Sequence, residues 1–353
     1  MKITTLHKID TEYSADSVEW CPQDDYHSYF VCGTYQLEGN NSESTSPPCR
    51  RKGRIYLYQF NPETDELTEK FRIETAAILD MKWLPGANVE IPILAAANAL
   101  GELIIYELVD DTLKEKHVLN LDKSFHNLLT LALDWEWNPV GENRIVASDS
   151  KGDISIVEYG SSGLQLVSSW SAHSFEAWTC TFDKWNPNTI FTGGDDTFLY
   201  TFDIRAPENV TKISTNKLHL AGVTSVLSHP TKPNILLTGS YDTNLRIFDS
   251  RQMGTPLASV TLNGGIWRIR PDVQDRNLLL CACMYENFSI VKISDDNTDM
   301  RCIAEYKEHT DICYGADWYQ SKENNERMVM ATCSFYDKKL CVSSVTEAGE
   351  VEE

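Results

Sequence analysis

Short runs in which β-branched and aromatic residues alternate with polar ones fill the chain, the period-two pattern of half-buried strands. The runs return every ~40–45 residues, a spacing that marks a radial repeat. Each repeat opens on apolar-x-x-apolar-x-aromatic-x-Pro, or a worn form of it. The first three read Ala15-x-x-Val18-x-Trp20-x-Pro22, Ile78-x-x-Met81-x-Trp83-x-Pro85 and Ala132-x-x-Trp135-x-Trp137-x-Pro139. A stretched opener spans Ala177 to Pro187, and Val223-x-x-Val226 with Pro230 begins the fifth. The sixth is shortened, from Ile266 to Pro271, and the seventh starts at Cys313 and keeps Trp318 without a proline.

After each opener come a second strand, a tight polar turn and a third strand, clearest in 190–205, 235–251 and 330–344. Gly, Asp and Asn at those turns are hairpin signals. Phe202-Asp203 and Phe248-Asp249 resemble the Trp-Asp ends of WD40 repeats. His173, His219 and His309, with Asp196, Asp242 and Asp337, resemble the Gly-His and aspartate positions of that repeat's structural hydrogen-bond network. The expected fold is all-β: one seven-bladed WD40 β-propeller over residues 1–345. Residues 1–12, with Ile3-x-x-Leu6-x-x-Ile9, are expected to add the outer strand of the last blade, a closure that hides sheet edges. The Ser/Asn/Gly/Pro-rich segment 36–53 is expected to be a flexible loop replacing the tight turn of the first blade. The acidic tail, 346–353, is expected to fray.

Composition narrows the setting. The 353 residues carry a formal net charge of −21, which opposes generic nucleic-acid binding and suits solubility or a cationic partner. None of the ten cysteines forms a Cys-x-x-Cys pair, and their scatter lacks zinc-site spacing. Free thiols point to a reducing compartment, and the cytoplasm is expected. The N-terminus, MKITTLHKIDTEYS, has no apolar signal-peptide core, and no run approaches membrane-spanning length.

Propellers bind at their rims and channel mouths, and two sets of repeat positions point there. One is the residue before the turn aspartate: Asp195, Tyr241, Tyr336 and, in blade six, Met284. The other follows the first apolar opener: Asp16, Leu79, Leu133, Trp178, Thr224, Trp267 and Tyr314. Trp178, Tyr241, Trp267, Tyr314 and Tyr336 thus stand as five aromatics around one mouth, against the alternative that the indoles pack between blades. A ring of aromatics suits a quaternary ammonium, at roughly 0.5–2 kcal/mol per ring. Glu176 and Asp195 would reinforce it, and either is a candidate general base. His173 is a further candidate, although a Gly-His histidine is ordinarily structural. Ser240, Ser334, Cys283 and Cys333 are conceivable nucleophiles without a visible base. Gly-x-Ser-x-Gly, His-Glu-x-x-His, phosphate-loop and dinucleotide fingerprints are absent.

Several blocks exceed the generic repeat: AHSFEAWTCTFDKWNPNTIFTGGDDTFLYTFDIR (172–205), LLTGSYDTNLRIFDSRQMGTPLASVTLNGGIWRIRP (236–271), YGADWY (314–319) and ATCSFYDKKL (331–340), with VEWCP (18–22) and CGTYQL (32–37). Together they resemble the WD40 diphthine methylesterases, also called the diphthine methyltransferase family. The likeness runs from about residue 14 to 345. The resemblance implies hydrolysis of the methyl ester of methylated diphthine on elongation factor 2, which frees a carboxylate for amidation. It implies a protein substrate bearing a trimethylammonium group, methanol as product, and neither cofactor nor metal. On this reading the five aromatics bind the cation. Glu176 or Asp195 activates water, and Arg268 or a tyrosine hydroxyl stabilises the oxyanion.

The rival reading is a non-catalytic adaptor, since fold alone does not fix function. Phe202–Arg205 and Phe248–Arg251 resemble the WDxR pattern of cullin-4 ubiquitin-ligase substrate receptors. A trafficking scaffold is the third, with no basic patch or lipidation motif to support it. A monomer that neither inserts into membranes nor binds nucleic acid is expected.

Overall fold

Among the described residues, twenty-eight strands pair as seven four-stranded antiparallel sheets in a computed structural model. It describes residues 1–37, 51–86, 90–125, 127–136, 138, 141–320 and 327–347. Six sheets take four consecutive strands each. The seventh is closed by the chain's first strand, Lys2–Asp10, which lies antiparallel on the last, Lys339–Thr346. The expected propeller, and its closure by residues 1–12, are therefore what the chain forms. No helix among the described residues is long and apolar enough to cross a membrane.

The opener motif gains its physical meaning at the blade interfaces. In three blades the tryptophan near the end of the innermost strand donates its indole N–H to the preceding blade's backbone. Trp83 Nε1 donates to Glu19 O at 3.2 Å, Trp135 Nε1 to Lys82 O at 3.0 Å and Trp318 Nε1 to Arg270 O at 3.1 Å. Apolar side chains from adjacent blades interleave around these rings, as where Trp20 and Phe30 meet Val329, Ala331 and Val342 across the closure. Burial of each such indole and its neighbours is worth about 2–3 kcal/mol per large side chain.

Three boundaries differ from expectation. In the third blade the equivalent of Trp20, Trp83 and Trp318 is Trp135, so that opener begins at Thr130, two residues early; Trp137 and Pro139 lie outside the described residues. The first-blade insertion is not loop throughout. Its ends continue the hairpin, with Gln36 opposite Lys52 and Leu37 opposite Arg51; residues 38–50 lie outside the described residues. At the C-terminus Thr346 still pairs, with Lys2 and Arg327, and 348–353 lie outside the described residues.

Candidate functional site

The site begins with a recurrent break in the innermost strand. In six blades the pairing register slips after the first or second paired residue, and the extra residue is Asp16, Leu79, Leu131, Thr224, Trp267 or Tyr314. In the fourth blade Trp178 holds the same place, immediately before the strand Thr179–Asp183. A β-bulge re-aims its extra side chain. Seven bulge-position residues therefore form one layer at one end of the channel. The third-blade member is Leu131 rather than Leu133, which pairs in register with Ala147 and is buried in the core.

Around this layer the aromatics form a continuous arc. Ring centroids are 5.5 Å apart for Trp178–Trp267, 6.3 Å for Trp178–Tyr241, 6.2 Å for Tyr241–Trp267 and 5.0 Å for Trp267–Tyr314. Small Thr224 lies between the two tryptophans in blade order, and its hydroxyl donates to Ile266 O at 2.6 Å. Two glycines make room for Tyr241. A Cβ on Gly222 or on Gly265 would meet its ring at 3.0 Å.

Beyond Tyr314 the arc continues through Phe335, 5.4 Å away, to Tyr336, a further 4.9 Å. Phe335, missed by the sequence reading, is the true counterpart of Tyr241. Its N–H donates to Ile312 O at 2.9 Å as that of Tyr241 does to Gly222 O and that of Asp195 to Glu176 O. One extra residue before Asp337 pushes Tyr336 outward, to 66% exposure. Tyr35, also missed, packs on Phe335 at 5.8 Å. Adjacency to Tyr336 and a place in CGTYQL were their only sequence signals. Met284, placed in the same set, is buried.

The acids divide by depth. Asp195 is exposed at the rim, where its Oδ1 accepts the Trp178 indole N–H at 3.0 Å. Glu176 is half-buried beside it and, with Asp195 and Tyr285, helps raise the Tyr241 phenol, mainly through burial. Burial raises Tyr314 likewise, and the charge of Asp16 adds to it. Both phenols therefore stay protonated donors at neutral pH. Asp16 itself is buried, and desolvation pushes its carboxyl up to about 8, partly opposed by Arg268 and reinforced by Asp80.

His173 does not reach this mouth as a free base. Its Nδ1 pairs with Asp196 Oδ1 at 2.9 Å and its Nε2 with Thr192 Oγ1 at 2.9 Å, so both ring nitrogens belong to the structural network. His219 and His309 repeat the contact, with Thr238 and Thr332, and burial lowers both to about 4. Arg268 is also committed: its Nη2 lies 3.0 Å from Asp80 Oδ1 and 3.3 Å from Leu79 O, deep in the channel wall. That pair tops a buried charged belt in which Lys82 meets Glu19 at 2.6 Å and Arg270 bridges Glu19 and Asp317.

The conceivable nucleophiles are structural. Ser240 Oγ donates to Ala221 O at 3.1 Å, and Ser334 is fully buried between His309 and Asp337. Burial raises the Cys283 thiol to about 12 and Cys333 well above its usual range, which removes the thiolate that attack requires. Among the described residues no cluster of three or more His, Cys, Asp or Glu is placed to hold a metal ion.

A model of the family described as WD domain, G-beta repeat, matches residues 211–249. Diphthine methyltransferase of Mus musculus is 37% identical over 90% of this chain and 69% of its own length. The Dictyostelium discoideum homolog of that enzyme is 31% identical over 94% of this chain and 96% of its own. A propeller in the crystal structure of the mitotic checkpoint complex superposes with a TM-score of 0.71 at 14% identity, over 98% of this chain and 95% of that one, a likeness of fold alone. With such identity spread over nearly the whole propeller, the chain belongs to the diphthine methyltransferase family.

Proposed function

We propose that this protein is a carboxylic-ester hydrolase that removes the methyl ester from methylated diphthine on elongation factor 2. Methanol leaves, and the freed carboxylate becomes available for amidation. The arc of Trp178, Tyr241, Trp267 and Tyr314, extended by Phe335 and Tyr336, carries this reading. A trimethylammonium group cannot donate hydrogen bonds, so ring faces and nearby carboxylates are the features that recognise it. Asp195 serves twice: it fixes the Trp178 indole and adds negative charge at the rim, where Glu176 adds more. The Tyr241 and Tyr314 phenols, protonated, are the oxyanion donors in place of the committed Arg268.

The test measures methanol release from elongation factor 2 carrying methylated diphthine, beside binding of tetramethylammonium. Trp178→Ala removes one ring and frees Asp195, and a loss of about 1–2 kcal/mol predicts a 5- to 30-fold weaker affinity. A folded Trp178→Ala protein with wild-type affinity and turnover would refute the cage. Unmodified final product, with no methyl ester accumulating on the factor in cells lacking this protein, would refute the reaction.

A further inference from the structure

Within the bulge layer itself the last aromatic is Tyr314 of blade seven, and the next bulge position, in blade one, is Asp16. It is the only acid among the seven bulge positions. Its neighbours are unlike those of the rim acids. Asp195 is exposed and already holds an indole, whereas Asp16, at the bulge of the innermost strand, is 8% exposed. The groups close enough to feel its charge are Arg268 of blade six, Asp80 of blade two, and Tyr314 and the Cys333 thiol of blade seven. Arg268 is tied to Asp80, so among the described residues no cation is dedicated to Asp16. Lys82, which pairs with Glu19 and lies 3.6 Å from Asp80, and Arg270, which pairs with Glu19 and Asp317, make up the charged belt beside them.

This inference rests on the ester-hydrolase reading above. We propose that Asp16, not the rim acids, is the proton-transfer residue of the site. A trimethylammonium held on Trp267 and Tyr314 brings the ester of the same side chain beside the next position in the layer. The Asp16 carboxylate takes a proton from water as the water oxygen bonds to the ester carbonyl carbon. When the tetrahedral intermediate collapses, the bond to the methoxy oxygen breaks and Asp16 returns that proton to it. One water and one ester become one carboxylic acid and one methanol, and the acid then ionises to solvent. A carboxyl held near neutrality suits both transfers better than a fully ionised one. The arriving cation favours the carboxylate, so binding itself drives Asp16 toward its basic form.

The experiment compares wild type, Asp16→Asn and Asp16→Glu in methanol release from elongation factor 2 carrying methylated diphthine, over pH 5.5–9.5. Removing a general base costs about 10²- to 10⁴-fold in kcat. Asp16→Asn should show that loss with KM little changed, and Asp16→Glu should recover part of it. Wild-type kcat/KM should rise with pH along a limb near 8, and the kcat limb should lie at lower pH. Wild-type kcat in Asp16→Asn overturns the proposal while leaving the esterase reading intact. A wild-type profile with no such limb does the same, even where the variants do not fold. A wild-type protein that releases no methanol overturns both.

Discussion

Asp16→Asn should change how stability depends on pH, independently of any activity. The folded chain holds this carboxyl at about 8, against an ordinary 3.8. Below pH 4 both folded and unfolded chains are protonated there, and the group contributes no pH dependence. Between 4 and 8 the unfolded chain releases the proton and the folded chain keeps it. Stability therefore falls as pH rises, by about 1.4 kcal/mol per unit, until the folded carboxyl titrates near 8. From pH 5 to pH 8 the accumulated loss is roughly 3–4 kcal/mol. Asparagine keeps the shape and abolishes the titration, and its own desolvation adds an offset that does not vary with pH. The difference in unfolding free energy between variant and wild type, read from urea titrations at half-unit steps, isolates Asp16 because all other groups cancel. The variant should gain on wild type across that window. Parallel profiles within 1 kcal/mol would refute the reasoning and show that water or Arg268 solvates the carboxylate.

Three further outcomes follow from named contacts. His173→Ala removes bonds to Asp196 and Thr192 and should cost about 2–4 kcal/mol, with kcat/KM of the folded fraction unchanged; a selective loss of kcat would restore a catalytic role. Gly265→Ala drives a methyl toward the Tyr241 ring and should weaken tetramethylammonium binding several-fold while leaving circular dichroism unchanged. Deleting residues 1–10 strips Lys2–Asp10 from the last blade and exposes the edge of Lys339–Thr346; size-exclusion chromatography should show association, and a monodisperse product of unchanged Tm would contradict the closure.

The repeat was legible because it is local chemistry. Strand alternation, an aromatic at each opener's end and a His–Asp pair at fixed spacing each follow from a blade's need to bury one face and satisfy its polar groups. The seven blades, the closing strand, and the separation of His219 and His309 from the mouth were all within reach of spacing alone. So was the gathering of Trp178, Tyr241, Trp267 and Tyr314, since each occupies a repeated position. Register was not. A single inserted residue before Asp337 put Phe335 where Tyr336 was expected, and a two-residue slip in the third opener exchanged Leu131 for Leu133. A run of apolar residues fits its strand equally well in neighbouring frames, and only pairing with the next strand chooses between them.

Charge environment was even less accessible. Arg268 and Asp80 are 188 residues apart in sequence, and their ion pair turns a free-looking arginine into part of the channel wall. Asp16 reads in sequence as one more polar residue among many. Its burial, and the absence of a dedicated cation beside it, arise only when seven blades close around a common axis. The sequence by itself determined the repeat and the aromatics at its mouth, because those depend on nearest neighbours along the chain. Tertiary structure decided which acid is desolvated and which base is spent, because solvation and ion pairing depend on what the remote blades bring into the same few ångströms.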